Sequence, residues 1–314
     1  MTIDNYLHLG MPRFQTVSDA IAIMDANGIG KALACAFETC PDLVTVHQAI
    51  LEAPDRFIAA GLPIGADQAE ITSGIHAQFA AGFSGLRLGG DHVRDWPWVL
   101  DLIGEHDGFA LVCGSDGLAD NAENLLAYLD RFDNGLVIGG HFAGPRETSI
   151  FDTDPLVDRL FGHPRFAVNF SRQTLFPDEV IMPWAHELVR RVGWDRLMWG
   201  SEAPVLHWRD ESIDTTRSWA DRLSPTDDEL ARFLGGNAER LVWGRPRSTA
   251  APLVLPFDPF DFVVSKPATM WPLGLSLDDS LPGRLVGSWV SWGGPARGDM
   301  SSFLEVFLDE HLLP

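Results

Sequence analysis

Short apolar runs recur along the first two thirds of the chain, at residues 2–9, 31–37, 56–63, 83–88, 109–113, 136–141, 166–170 and 196–200. A run this short and this apolar predicts a strand covered on both faces, because side chains alternate across a strand and both sets need burial. Between the runs lie stretches whose apolar residues fall three or four apart, the spacing of one buried helix face. These are residues 17–27, 43–53, 68–81, 96–105, 119–131, 178–192 and 209–223.

Turn chemistry supports the alternation. Ser18 and Asp19 suit a helix N-terminus, and Asn27-Gly28 suits a left-handed close. A last helix opens at Ser224-Pro225-Thr226, carries Asp227, Asp228 and Glu229 in its first turn, and ends near Gly244. Strict strand–helix alternation implies a parallel sheet with helices outside, and eight repeats point to a closed (β/α)8 TIM barrel over residues 1–244. No GxGxxG or Walker-type loop follows a strand, which weakens a nucleotide-binding reading. From Arg245 the rhythm stops. Residues 245–314 form an irregular C-terminal extension rich in Pro, Trp and Phe, with a strand-like run at 284–292 and a short amphipathic helix at 299–312. Its apolar content predicts packing on the barrel, as a lid or as a subunit contact of a homodimer.

Composition narrows the partners. A formal net charge of −21, with 23 basic residues among 44 acidic ones, offers no cluster to neutralise phosphates, so nucleic acid and anionic membrane surfaces are excluded. No run approaches the ~20 apolar residues of a membrane helix. Three cysteines without a CxxC, and a start without a basic leader, suit a cytoplasmic protein with reduced thiols.

In such a barrel the chemistry gathers where the strands end. Those ends carry Tyr6 and His8, which share one side of the first strand, then Arg87, Asp116, His141, Ser171 with Arg172, and Glu202. Polar and ionisable groups converging on one mouth are what a catalytic site requires. The order of local blocks is more specific. Ile3–Gly10 reads IDNYLHLG, Phe83–Leu88 reads FSGLRL, Leu136–Pro145 reads LVIGGHFAGP, Asp195–Pro204 reads DRLMWGSEAP, and Gly236–Leu241 reads GNAERL. Together they resemble the IDxHxHxG, GFxGxRL, (V/I)xDHxGxP, RxxxGSDxP and GNAxRL blocks of the amidohydrolase-related family of metal-dependent hydrolases, in the same order over residues 1–244.

The resemblance implies one or two divalent metals held by an HxH pair, histidines on the fifth and sixth strands and an Asp on the eighth. This chain departs from that set. Tyr6 stands for the first histidine, Gly114 for the fifth-strand one (or Cys113, with the register moved by one), and Glu202 for the Asp. His8, His141 and Glu202 remain, enough to hold Zn²⁺ or Mn²⁺ with an open position for water. They equally suit a metal-free set, as in lactonases of the family that work without metal. There Glu202 acts as general base, His8 and His141 polarise a carbonyl, and Tyr6 donates to the oxyanion.

The expected activity is hydrolysis of a small lactone, ester or amide, with Arg87 and Arg172 gripping a substrate carboxylate and Asp116 and Ser171 lining the site. Each arginine equally suits an internal salt bridge, and Asp116 a helix cap. A family-related decarboxylase, a repurposed biosynthetic enzyme and an inactive binding barrel are the alternatives. Cys113 reads as a small buried hydrophobe. His47, His76, His106 and His163 read as surface residues.

Overall fold

The computed structural model describes residues 1–11, 13–113, 118–209, 211–248 and 250–263. Eight parallel strands, β1 (Thr2–His8), β2 (Ile29–Cys35), β3 (Phe57–Gly61), β4 (Gly85–Gly89), β5 (Phe109–Cys113), β6 (Leu136–Gly139), β7 (Phe166–Phe170) and β8 (Leu197–Trp199), pair in sequence order. Helices alternate with them: α1 (Val17–Ala26), α2 (Leu43–Glu52), α3 (Gln68–Ala80), α4 (Gly90–Asp95), α5 (Trp98–Glu105), α6 (Ala122–Arg131), α7 (Ile150–Thr153), α8 (Pro155–Gly162), α9 (Asp178–Arg191), α10 (Ile213–Ser218) and α11 (Asp227–Ala231). This is the expected (β/α)8 barrel.

The alternation of strand side chains builds two cores. Leu33 and Cys35, Ile58 and Ala60, Phe109, Leu111 and Cys113, and Leu136 with Ile138 fill the barrel interior. Their neighbours Ala32, Ala34, Phe57, Ala59, Ala110, Val112 and Val137 pack outward under the helices. Both sets are removed from water, which explains why the runs look apolar without interruption.

β1 meets the residues just past β8 at a seam. Glu202 N–H donates to Tyr6 O at 2.7 Å, and His8 N–H donates to Ala203 O at 2.8 Å. Asp4 reinforces the seam: its carboxylate accepts from Ser201 N at 2.9 Å, Ser201 Oγ at 2.5 Å and Tyr6 N at 3.1 Å.

Several expectations change. The first helix is capped by Thr16, whose side chain exchanges bonds with Asp19 in a capping box, so Ser18 lies inside the helix. The stretch 209–223 is not one helix but α10 between 3-10 turns at Val205–Arg209 and Trp219–Leu223. Its apolar spacing reflects those turns packing on β7 and β8, as Trp219 does edge-on against Phe170. Helix α8 was not expected; Asp154 caps it and Pro155 opens it. His47 is buried rather than on the surface, because residues 250–251 cover it: its Nε2 lies 2.8 Å from Ala251 O. This described part of the extension packs along α2 and α3, with Phe257 against Gly74 and Ala250 against Gly82. Asp116, Gly114, the strand-like run at 284–292 and the helix at 299–312 lie outside the described residues. Among the described residues no helix is long and apolar enough to cross a membrane.

Candidate active site

The barrel positions its ionisable groups at the C-terminal mouth. His8 ends β1, Arg87 lies on β4, His141 follows β6, Ser171 and Arg172 follow β7, and Glu202 follows β8. Backbone strain gathers at the last three of these ends. His141, Phe142 and Ala143 have φ of 53, 56 and 59°, Arg172 has 62° and Glu202 has 60°. Left-handed conformations cost a non-glycine residue roughly 1 kcal/mol each and persist only where the surroundings impose them. For the 141–143 turn, the surroundings are Trp184, whose indole N–H donates to Phe142 O at 2.7 Å, and the stack of Phe142 on Phe170 at 4.1 Å.

Glu202 is fully buried at the centre. Its Oε1 accepts from Arg172 Nε at 2.7 Å, and lies 3.7 Å from His141 Nε2 and 4.0 Å from His8 Nε2. Each imidazole is fixed from behind. His8 Nδ1 lies 3.1 Å from Cys35 O, so that nitrogen carries the proton and Nε2 presents its lone pair. Burial, helped by Arg87 and Arg13, lowers the His8 pKa to about 3 against the pull of Glu202. His8 is therefore neutral, and its approach to Glu202 is no ion pair. His141 Nδ1 lies 2.8 Å from Ser171 Oγ. Ser171, expected to touch substrate, is fully buried behind His141 and orients it.

Tyr6 lies beneath both histidines, its ring edge-on to His8 at 5.1 Å and to His141 at 5.0 Å. Its hydroxyl accepts from Arg87 Nε at 3.1 Å and meets Cys113 Sγ at 3.3 Å. Burial raises its pKa well above the ordinary value, so it stays a neutral phenol. Its hydroxyl is thus committed to Arg87 and Cys113, and the ring, not the oxygen, is what the histidines meet. Cys113 is buried as expected, and burial raises its pKa.

A second cluster escaped the sequence reading. Arg87 lies 3.4 Å from Glu38 and 4.2 Å over the Phe37 ring. Arg13 lies against Phe37 and Phe14, hydrogen-bonded to Thr39, and Phe14 stacks on His8 at 4.7 Å. The end of β2, which Phe37 and Glu38 follow after Ala36, carried a legible signal. Arg13 sits in a loop and carried none.

Asp4 behaves differently from the mouth carboxylates. Burial raises its pKa from 3.8 to about 6, against the lowering effect of its bonds from Ser201 and Tyr6. The raised value means that its contribution to stability is complete below pH ~4 and is lost as pH rises through ~6, a loss on the order of 3 kcal/mol. Urea unfolding between pH 4 and 7.5 is expected to show this decline in the native chain. Asp4→Asn, which mimics the protonated acid, should lack that component; parallel curves for the two proteins would remove Asp4 as its source.

The residues present do not fit the divalent metal that the family resemblance implies. Two ligand atoms ~2.1 Å from one tetrahedral zinc lie ~3.4 Å apart. Here the spacings of 3.7 and 4.0 Å are wider, and the carboxylate oxygen is already held by Arg172. A guanidinium so near repels a divalent cation by several kcal/mol even at an effective dielectric of ~20. Among the described residues no group of three His, Cys, Asp or Glu side chains is arranged to hold a metal ion.

Comparison with known proteins bears on the fold and the family. No curated protein matches the chain in sequence. Among solved structures, an amidohydrolase from Burkholderia multivorans with bound zinc shares 16% identity and a TM-score of 0.58, covering 78% of this chain and 100% of its own. A Pseudomonas putida protein assigned as a 2-pyrone-4,6-dicarboxylic acid hydrolase shares 18% and 0.58, covering 76% and 96%. The 5-carboxyvanillate decarboxylase of Sphingomonas paucimobilis shares 15% and 0.55, covering 76% and 98%. Identities this low show a common fold. The family described as Amidohydrolase matches residues 8–242, from the β1 histidine to the segment that closes the barrel, and the chain belongs to that family.

Proposed function

We propose that the chain hydrolyses a small lactone, ester or amide that bears a carboxylate, using Glu202 as general base. The observation that carries this reading is the convergence of two imidazole Nε2 atoms, at 3.7 and 4.0 Å, on one oxygen of a fully buried carboxylate at a barrel mouth. A water molecule between Glu202 and neutral His8 donates one hydrogen to each acceptor, which turns its lone pair to the carbonyl carbon. As the C–O bond to this water forms, its proton passes to Glu202. Charge building on the carbonyl oxygen is offset by His141 and by the Arg172 guanidinium, whose side chain keeps 17% of its surface exposed. When the tetrahedral centre collapses, the bond to the leaving oxygen or nitrogen breaks, and Glu202 returns the proton to it.

The gathering of three arginines, Arg13, Arg87 and Arg172, at the mouth supports an anionic substrate. Burial, with Arg172 and Arg87 adding, lowers the Arg13 pKa to about 9, so it remains charged near neutrality.

The test is a panel of lactones, esters and amides, with and without a carboxylate, followed by product analysis and carbon dioxide detection. Turnover of carboxylate-bearing members is expected. Carbon dioxide release without hydrolysis favours the decarboxylase reading, and binding without turnover the inactive barrel. With a substrate in hand, Arg87→Lys keeps the charge but loses the fork, and should raise KM roughly tenfold with kcat held, as for one charge-assisted hydrogen bond. Equal KM changes for a neutral analogue would place Arg87 outside carboxylate recognition.

A further inference from the structure

The hydrolytic chemistry occupies Glu202, His8, His141 and Arg172 and gives no task to Arg13, on the β1–β2 side of the mouth. Arg13 is 4% exposed although it belongs to a loop. That loop is tied down along its length. Gly10 N–H donates to Gln15 O at 3.1 Å and Phe14 N–H to Gly10 O at 2.8 Å. Met11 N–H donates to the Asp42 carboxylate at 3.1 Å, and Gln15 Nε2 to His8 O at 3.0 Å. The turn after β2 is closed by Cys40 N–H donating to Phe37 O at 2.9 Å, and Arg13 Nη1 donates to Thr39 Oγ1 within it. Two braced loops therefore hold one guanidinium at the mouth, where withdrawing a charge from water is costly.

The neighbours of Arg13 are themselves cationic. The Phe37 ring lies 4.8 Å from its guanidinium carbon and 4.2 Å from that of Arg87. Burial lowers the Arg13 pKa, and the charges of Arg172 and Arg87 add to that while Glu202 opposes it, so these groups share one electrostatic neighbourhood. The acidic partner of Arg87, Glu38, stands at 3.4 Å, beyond the ~2.7–2.9 Å of a tight charge-assisted bond. Arg172, by contrast, is engaged with Glu202 at 2.7 Å and serves the reacting carbonyl. Two guanidinium groups on one aromatic ring suit an anion that bonds to both.

We propose that Arg13 is the specificity-determining residue for the substrate's carboxylate: the anion seats between the Arg13 and Arg87 guanidinium groups, beside the Phe37 ring, on the β1–β2 side of the mouth. This inference deepens the hydrolytic reading and rests on it for the fate of the bound acid. Its test needs no turnover.

The experiment is isothermal titration calorimetry on the full chain with 2-furoate and benzoate, and with their neutral counterparts 2-acetylfuran and acetophenone. None of the four has a bond to hydrolyse. The native protein is expected to bind at least one of the acids tenfold or more tightly than its neutral counterpart. Arg13→Gln should weaken binding of that acid about tenfold, as for one charge-assisted hydrogen bond, and leave the neutral compound unchanged. Should Arg13→Gln fail to fold, judged by circular dichroism and thermal melting, Arg13→Lys takes its place, with a severalfold loss expected because the charge stays and the fork goes. The proposal is overturned if neither acid binds the native chain in preference to its neutral counterpart. It is equally overturned if a folded Arg13 variant binds the acid as the native chain does, which would leave the anion to Arg172, or if acid and neutral compound weaken alike, which would make Arg13 a structural residue. Selective acid binding without any hydrolysed substrate would sink the hydrolytic reading and leave the assignment of Arg13 standing.

Discussion

Glu202→Gln is expected to lower kcat by about a hundred- to ten-thousand-fold, the range that positioned general bases contribute, with the barrel still folded. The amide keeps the size of the side chain and an oxygen that can accept from Arg172 Nε, now 2.7 Å away, but it cannot take a proton from water. Because the lost interaction belongs to the transition state, kcat and kcat/KM should fall together. Some stability is lost as well, since Arg172 then faces a neutral partner; a few kcal/mol is the usual range for breaking a buried pair, and retention of one hydrogen bond keeps the loss toward its lower end. Glu202→Asp is the informative companion. It preserves the charge and withdraws the carboxylate by one methylene from Arg172 and both histidines, so an intermediate rate is expected. Native-like turnover by Glu202→Gln, in a protein with an unchanged circular dichroism spectrum, would remove Glu202 from the mechanism and the proposed chemistry with it.

The second large effect concerns the seam between β1 and β8. Gly200 packs so closely on Tyr6 that an added methyl carbon would lie 2.5 Å from Tyr6 Cβ and 3.2 Å from its backbone nitrogen. Neither atom is the free end of a flexible side chain, and Tyr6 is pinned by its ring contacts with His8 and His141 and by Arg87. Gly200→Ala must therefore part the two strands or push Tyr6 into the site. Overpacking of this kind costs about 2–3 kcal/mol, a fall in melting temperature of roughly 3–5 °C for a chain of this size. Gly162 provides the contrast, because an added methyl there meets nothing within 4 Å. Gly162→Ala, at the end of α8, should leave the melt unchanged or raise it slightly through the unfolded chain. A Gly200→Ala melt indistinguishable from the native one would show that the seam opens freely and that Tyr6 is not fixed by it.

Much of this was legible in the amino-acid order. Runs such as 109–113 have too few residues for a helix and too many apolar ones for a half-exposed strand, so the parallel barrel follows from burial on two faces. Placing the chemistry at strand ends then brought out His8, Arg87, His141, Arg172 and Glu202, and the structure gathers all five at one mouth. The stretch 209–223 misled because apolar spacing at three or four does not separate one helix from successive short turns packed on the same strands.

What only the tertiary structure decided is how those groups face each other. No local pattern states that Arg172 crosses from β7 to Glu202, because the approach is set by a left-handed residue at one strand end and by the barrel's closure at the next. Nor does spacing show that Ser171 supports His141 from behind, that the Tyr6 hydroxyl is taken up by Arg87 and Cys113, or that Arg13 and Glu38 join the mouth. The sequence determined the scaffold and the residue types at its rim, since those depend on periodicity and on which side chains bury. The electrostatic partnerships depend on distances between strands far apart in the chain, and folding alone sets them.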